Sequence, residues 1–169
     1  KREYEKAKEF LLKIKELIIK DRLSLNLTHF YFEIALIYKN SRNIKESLNS
    51  LKEALQLDKN NNNAWILLID IETSNGNYDG ALKYIEEHKK LIGNQDVKLL
   101  NSNEMKLARL FQQMGKNTAA KKVYEEILKR DELYCEGLLA LSDLLFEEGS
   151  VDIEIERLYK FLSKKINKN

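Results

Sequence analysis

Apolar residues recur along the chain at helical spacing, in blocks of 34 residues. Four blocks align: 28–61, 62–95, 101–134 and 135–168. The first two abut, the last two abut, and only residues 96–100 fall between the pairs. Position 7 of each block holds Ile34, Leu68, Leu107 or Leu141, and position 8 holds Ala35, Ile69, Ala108 or Ser142. Position 15 is glycine in three blocks: Gly76, Gly115 and Gly149. Position 20 holds Ser47, Ala81, Ala120 and Glu154, and position 24 holds Leu51, Ile85, Tyr124 and Leu158. Position 28 holds Leu55, Lys89, Leu128 and Leu162.

Apolar positions 4, 7, 8 and 11 make one stripe on a 3.6-residue helix, and positions 20, 24, 27 and 28 make a second. The glycine between them permits a reversal at a helix C-terminus. Small residues at positions 8 and 20 let the two helices approach closely, so each block reads as an αα-hairpin. The pattern predicts nine helices, at 3–20, 28–40, 44–57, 62–74, 78–90, 97–114, 117–130, 133–147 and 151–166. In the first, Ala7, Leu11 and Ile14 match positions 20, 24 and 27, which makes it the second helix of a partial earlier repeat, followed by a connector at 22–27. Asn43, with Glu46 three residues on, has the form of a capping box, and Thr118 and Ser150 are candidate N-caps. Glu86–Lys90, Glu125–Lys129 and Glu126–Arg130 are spaced for pairing on exposed helix faces.

These blocks resemble tetratricopeptide repeats. The resemblance is strongest at Ala64-Trp65-Ile66-Leu67-Leu68 with Gly76-Asn77-Tyr78-Asp79-Gly80-Ala81-Leu82, and next at Leu107-Ala108-Arg109-Leu110-Phe111 with Gly115, Ala120 and Tyr124. It covers residues 28–168 and, weakly, 3–21. It departs from the family at Glu72, where an aromatic is usual, and lacks the family's frequent proline near position 32, where Lys59, Gly93, Glu132 and Ile166 stand. The resemblance implies an all-α fold. The expected architecture is a right-handed α-solenoid of about four helix hairpins plus an extra N-terminal helix, forming one domain over residues 1–169. The additional residues 96–100 are expected to lengthen the helix that follows or to bend the array.

In the resembled family, positions 2, 5, 9, 12 and 13 of the first helix of each pair face a concave groove. Carried onto this chain, the expected partner-binding residues are Phe32, Leu36 and Lys39 in the first block and Ile66 and Asp70 in the second. The third block supplies Met105, Arg109 and Gln112, and the fourth Leu139, Asp143 and Phe146, with Glu136 and Glu147 at neighbouring groove positions. An apolar floor with a few charged groups suits a peptide or partner segment held by apolar anchors. Arg109 is expected to meet an acidic ligand group, or else to pair with Asp70 or Asp143. The clamp by which some members hold acidic C-terminal tails is not reproduced: at its positions stand Phe32, Leu36, Leu67, Ser102 and Lys106, and only Lys106 has the right charge.

Composition narrows the remaining function classes. Among 169 residues, 29 Lys+Arg against 27 Asp+Glu give a net charge of +2, which argues against a strongly basic nucleic-acid binder. No proline and only six glycines fit a nearly all-helical chain. One cysteine excludes an internal disulfide framework and a cysteine-rich zinc site, and two histidines are too few for a histidine-based metal cluster. The longest apolar run, Ala64–Ile69, is far short of the ~20 residues that span a bilayer. The chain opens at Lys1 rather than at a methionine, so a trimmed N-terminus is expected.

No phosphate loop, nucleophile elbow, metalloprotease helix or C-x-x-C is present. Glu86-Glu87, Glu125-Glu126 and Glu147-Glu148 are consecutive on helices, so they diverge by about 100° and form no acid–base dyad. His29 reads as a solvated or capping residue, His88 as a packing residue, and Cys135 as an inert small residue. The basic cluster Lys160, Lys164, Lys165 and Lys168 reads as a solvated helix face. The expectation is a non-catalytic interaction module with a protein or peptide partner, no nucleic-acid partner, no membrane span, no cofactor and no metal. The alternative is a structural or self-assembly module, a homo-oligomer or part of a larger chain, using its terminal helices: Ile155, Leu158, Tyr159, Leu162 and Ile166 of the C-terminal helix are expected either to pack on a partner copy or to be covered by chain continuing beyond Asn169.

Overall fold

Helices joined by tight turns account for the computed structural model, which describes residues 2–20, 27–93 and 95–149 and positions 152, 156 and 160. Among the described residues there are eight helices and no strand. They are α1 (Arg2–Lys20), α2 (Leu27–Asn40), α3 (Ile44–Leu57), α4 (Asn62–Ser74), α5 (Tyr78–Ile92), α6 (Val97–Gln113), α7 (Asn117–Arg130) and α8 (Cys135–Glu147). Apart from positions 152, 156 and 160, the predicted ninth helix, with the Ser150 cap and the self-assembly surface assigned to it, lies outside the described residues, as does most of the 22–27 connector. Helix α8 begins at Cys135 rather than at 133, because the Asp131 carboxylate and carbonyl hold the Leu133 and Tyr134 amides in a turn.

The turns after α2, α4 and α6 share one geometry. After α2, the Arg42 amide donates to the Lys39 carbonyl and the Asn43 amide to the Tyr38 carbonyl. The same pair of bonds recurs after α4, from Gly76 to Thr73 and Asn77 to Glu72, and after α6, from Gly115 to Gln112 and Lys116 to Phe111. This is the Schellman arrangement, which needs a left-handed residue just past the helix. Gly76 and Gly115 meet it at φ 74° and 70°, and Arg42 meets it at φ 59° in the block that lacks the glycine.

The same geometry corrects two expected caps. A capping box at Asn43 needs its amide for the Glu46 side chain, but that amide is bonded to Tyr38, and the Asn43 side chain makes no cap bond to α3. Thr118 lies inside α7, whose N-cap is Lys116, because the Lys116 amide closes the preceding turn. Side-chain caps stand elsewhere: Asn61 Oδ1 accepts from Ala64 N at 3.0 Å, and Asp96 Oδ1 from Leu99 N at 2.9 Å. Asp96 thereby starts α6 one turn before its repeat, so residues 97–100 lengthen that helix.

The chain divides into two compact units, Lys1–Tyr84 and Ile85–Asn169, with the division inside α5. The core of the first unit gathers Ala35, Leu51, Ala54, Leu55, Ala64, Trp65, Leu68 and Ile71 from α2, α3 and α4. The close approach expected at positions 8 and 20 is made by Ser47, whose Oγ donates to the Ala35 carbonyl at 2.7 Å. The departure at Glu72 is accommodated: this buried carboxylate accepts from Asn77 Nδ2 at 2.8 Å. The core of the second unit gathers Met105, Ala108, Ala120, Tyr124, Ile127, Leu141, Leu144 and Leu145 from α6, α7 and α8.

Candidate functional site

Helices α6 and α8 both belong to the second unit, and between them lies an open cleft of about 390 Å³. Arg109 and Gln112 line it from α6, and Glu136, Leu139, Ala140, Asp143 and Glu147 from α8. Spacings of three and four residues put these side chains on one face of each helix, while the alternate face (Leu141, Leu144, Leu145) fills the core. Tyr124 of α7 forms the floor. Its ring is fully buried, and its hydroxyl donates to Gln112 Oε1 at 2.6 Å.

Electrostatics order the cleft wall. Arg109 Nη2 lies 2.6 Å from Glu136 Oε1, and the Tyr134 hydroxyl donates to Glu136 Oε2 at 3.2 Å. One carboxylate is thus held between a guanidinium and a phenol. Within the second unit Arg109 pairs with Glu136 in the first turn of α8 and not with Asp143, one of the internal partners expected for it if it did not meet a ligand. Burial raises the Tyr124 hydroxyl pKa; Arg109 opposes the rise, and Glu136 and Asp143 add to it.

Four of the expected groove residues, Arg109, Gln112, Leu139 and Asp143, therefore line one cleft. Phe146 is 66 % exposed on α8 outside the cleft lining, and Leu139 is 58 % exposed within it. Met105 is a correction. It is only 2 % exposed and packs in the core, where its sulfur lies near the start of α8 at Gly137. In the first unit, Phe32 and Leu36 are half-buried against the core, Lys39 is exposed in the last turn of α2, and Ile66 and Asp70 are half-buried on α4.

Sequence reasoning missed a buried polar cluster in the same unit. The Glu104 carboxylate, 1 % exposed, lies 2.6 Å from Lys89 Nζ and 2.9 Å from Arg130 Nη1. Arg130 also donates to Asn101 Oδ1 at 2.6 Å, in place of the surface pair expected with Glu126. Asn103 Nδ2 donates to the Ile85 carbonyl at 3.0 Å, and its Oδ1 lies 3.1 Å from His88 Nδ1. With the amide so oriented, His88 Nδ1 is the donor of that bond. Burial raises the Glu104 pKa, but the hydrogen bonds and charges of Lys89 and Arg130 outweigh it and leave the carboxyl below its ordinary value. Burial lowers the His88 pKa against the opposing Asn103 bond. A charge at position 4, where the other blocks have Tyr31, Trp65 and Leu138, and one of opposite sign at position 28, where they have leucine, were the signals of this cluster.

His29 is exposed, 3.8 Å from Glu33 one turn on, and Cys135 is exposed with a free thiol. Among the described residues, no three His, Cys, Asp or Glu side chains are grouped to hold a metal ion. No helix among them is long and apolar enough to cross a membrane.

Two family models match, both described as tetratricopeptide repeat, over residues 28–61 and 105–160. No curated protein matches in sequence. Among solved structures, MamA is similar with a TM-score of 0.65 at 16% identity, over 94% of this chain and 88% of that one. A structure described as a functional characterization of Pseudomonas aeruginosa pilF gives a TM-score of 0.65 at 19% identity, over 95% of this chain and 68% of that one. YrrB, described as a TPR protein with an unusual peptide-binding site, gives a TM-score of 0.57 at 15% identity, over 88% of this chain and 73% of that one. Likeness at such identities shows the fold, the all-α solenoid class of helix hairpins.

Proposed function

The chain belongs to the tetratricopeptide repeat family, and from that premise we propose that it is a non-catalytic interaction module that binds a segment of a protein partner along the groove-facing sides of its first helices. The observation that carries the reading is the open cleft between α6 and α8, with Leu139 exposed in it and Phe146 exposed beside it. Exposed apolar side chains beside ordered polar groups are the usual anchors of a bound peptide. In this reading Phe32, Leu36, Lys39, Ile66 and Asp70 are the binding residues of the first unit, taken by itself. Met105 takes no part in it, because it is core. The peptide-binding site in the description of YrrB supports the same reading by analogy of fold.

The test is selection of random dodecamer peptides on the immobilised full chain, followed by fluorescence anisotropy with the selected peptides. Leu139→Ser/Phe146→Ser is expected to weaken them about tenfold or more, the loss of two apolar anchors. Both side chains are exposed, so helical content by circular dichroism is expected to stay unchanged. Equal affinity for the double variant overturns the groove reading.

A second reading, self-association, is favoured by α1, where Phe10, Leu12 and Leu17 are all exposed. Light scattering at increasing concentration tests it, and a strict monomer sinks it.

A further inference from the structure

We infer that the cleft between α6 and α8 is a receptor for a cationic side chain, a lysine or arginine of the partner segment. The inference rests on the groove reading above and adds the chemistry of the occupant. Asp143 and Glu147 stand four residues apart on α8, so both carboxylates rise from one face onto the cleft wall. Among the described residues neither forms an ion pair. Arg109, the one cation lining the cleft, is already engaged by Glu136 at 2.6 Å. The charge left for a ligand to meet is therefore that of two carboxylates.

The surface beside them matches such a ligand. Leu139 and Ala140 give an apolar track next to the carboxylates. Lysine and arginine lay their methylene stems along surface of this kind and keep the charged head at its polar end. The volume, about 390 Å³, is at the lower end of the ~300–1,000 Å³ usual for ligand clefts, a size for a side chain and its neighbours. A metal ion is a poorer occupant, since the carboxylates are not grouped as a ligand set.

The experiment uses dodecamers selected on the full chain, each also made with every Lys and Arg replaced by Gln. Anisotropy is measured on the wild type, on Asp143→Asn/Glu147→Gln, and on Leu139→Ser/Phe146→Ser. Both carboxylates are exposed, so the charge variant keeps its fold, checked by thermal melting. The expected result is a shared Lys or Arg whose replacement costs tenfold or more on the wild type and little on Asp143→Asn/Glu147→Gln, with affinity falling as NaCl rises. Peptides that depend on Leu139 and Phe146 but not on a cation overturn this inference and leave the groove reading standing. Peptides that depend on neither pair overturn both.

Discussion

Lys89 on α5 and Glu104 on α6 meet at 2.6 Å, and they occupy two repeat positions where the other blocks are apolar. Arg130 closes the arrangement from α7 at 2.9 Å, so one buried carboxylate ties three helices of the second unit. Removing one partner of a buried pair is far costlier than replacing the whole group with apolar residues. Here Lys89 and Arg130 keep 43% and 29% of their side-chain surface in water and can turn outward. Glu104→Gln is therefore expected to cost about 1–3 kcal/mol, less than the roughly 3–5 of a fully buried pair. Lys89→Leu/Glu104→Leu, which restores the repeat pattern at both positions, is expected to recover most of that loss. Urea denaturation of the three proteins checks both statements, and a double variant weaker than Glu104→Gln refutes the second.

Acid should unfold the protein in two separable windows. Burial holds the His88 pKa below its ordinary value of 6.5, so the unfolded chain takes up that proton first. The contribution is present above about pH 6.5 and is lost as pH falls below it toward the folded-state pKa. The Glu104 carboxyl is held below its ordinary value of 4.5 by Lys89 and Arg130 against its burial, so its contribution is intact above about pH 4.5 and is lost below. His88→Gln should flatten the melting-temperature profile between pH 6.5 and 5, and Glu104→Gln should flatten it below 4.5. A histidine variant with the wild-type slope in the upper window refutes the first assignment.

Much of this architecture was legible in the 34-residue period, because the stripe that makes a helix amphipathic is also the stripe that packs it. The ends of α3, α4 and α7 fall where the pattern put them. What was hidden depended on partners distant in sequence. The role of Glu104 is not visible in the local sequence, since its cations lie 15 residues before it and 26 after it. Met105 was placed on the groove by its position number, but packing against α7 and α8, with its sulfur near Gly137, puts its side chain inside. Asn43 failed as a capping box because its amide was already committed to the preceding turn, a competition no local motif records.

That turn gives a stability prediction. Arg42 sits at φ 59°, where the equivalent residues of three other blocks are glycine. A non-glycine residue there costs about 1–2 kcal/mol, and a glycine returns about half of the relief as unfolded-state entropy. Arg42→Gly is expected to stabilise the first unit by about 0.5–1 kcal/mol. Gly115→Ala is the converse: an added Cβ meets nothing within 4 Å, so its cost, about 1 kcal/mol, is that of backbone conformation alone. Thermal melting that shows Arg42→Gly to be the less stable protein contradicts the account.

Arg109 separates stability from recognition. Its pair with Glu136 is exposed on both sides, 56% and 51%, and exposed ion pairs contribute about 0–1 kcal/mol. Arg109→Gln should therefore leave the melting temperature nearly unchanged. In the cleft the same substitution removes the one lining cation and releases the Glu136 carboxylate, leaving three acidic groups facing the ligand. A peptide carrying lysine or arginine is then expected to bind several-fold more tightly, with a steeper dependence on salt. A peptide that uses an acidic residue against Arg109 would be weakened by the same change. The sign of the affinity change at fixed stability thus distinguishes a cleft that receives a cation from one in which Arg109 is itself the ligand-binding group.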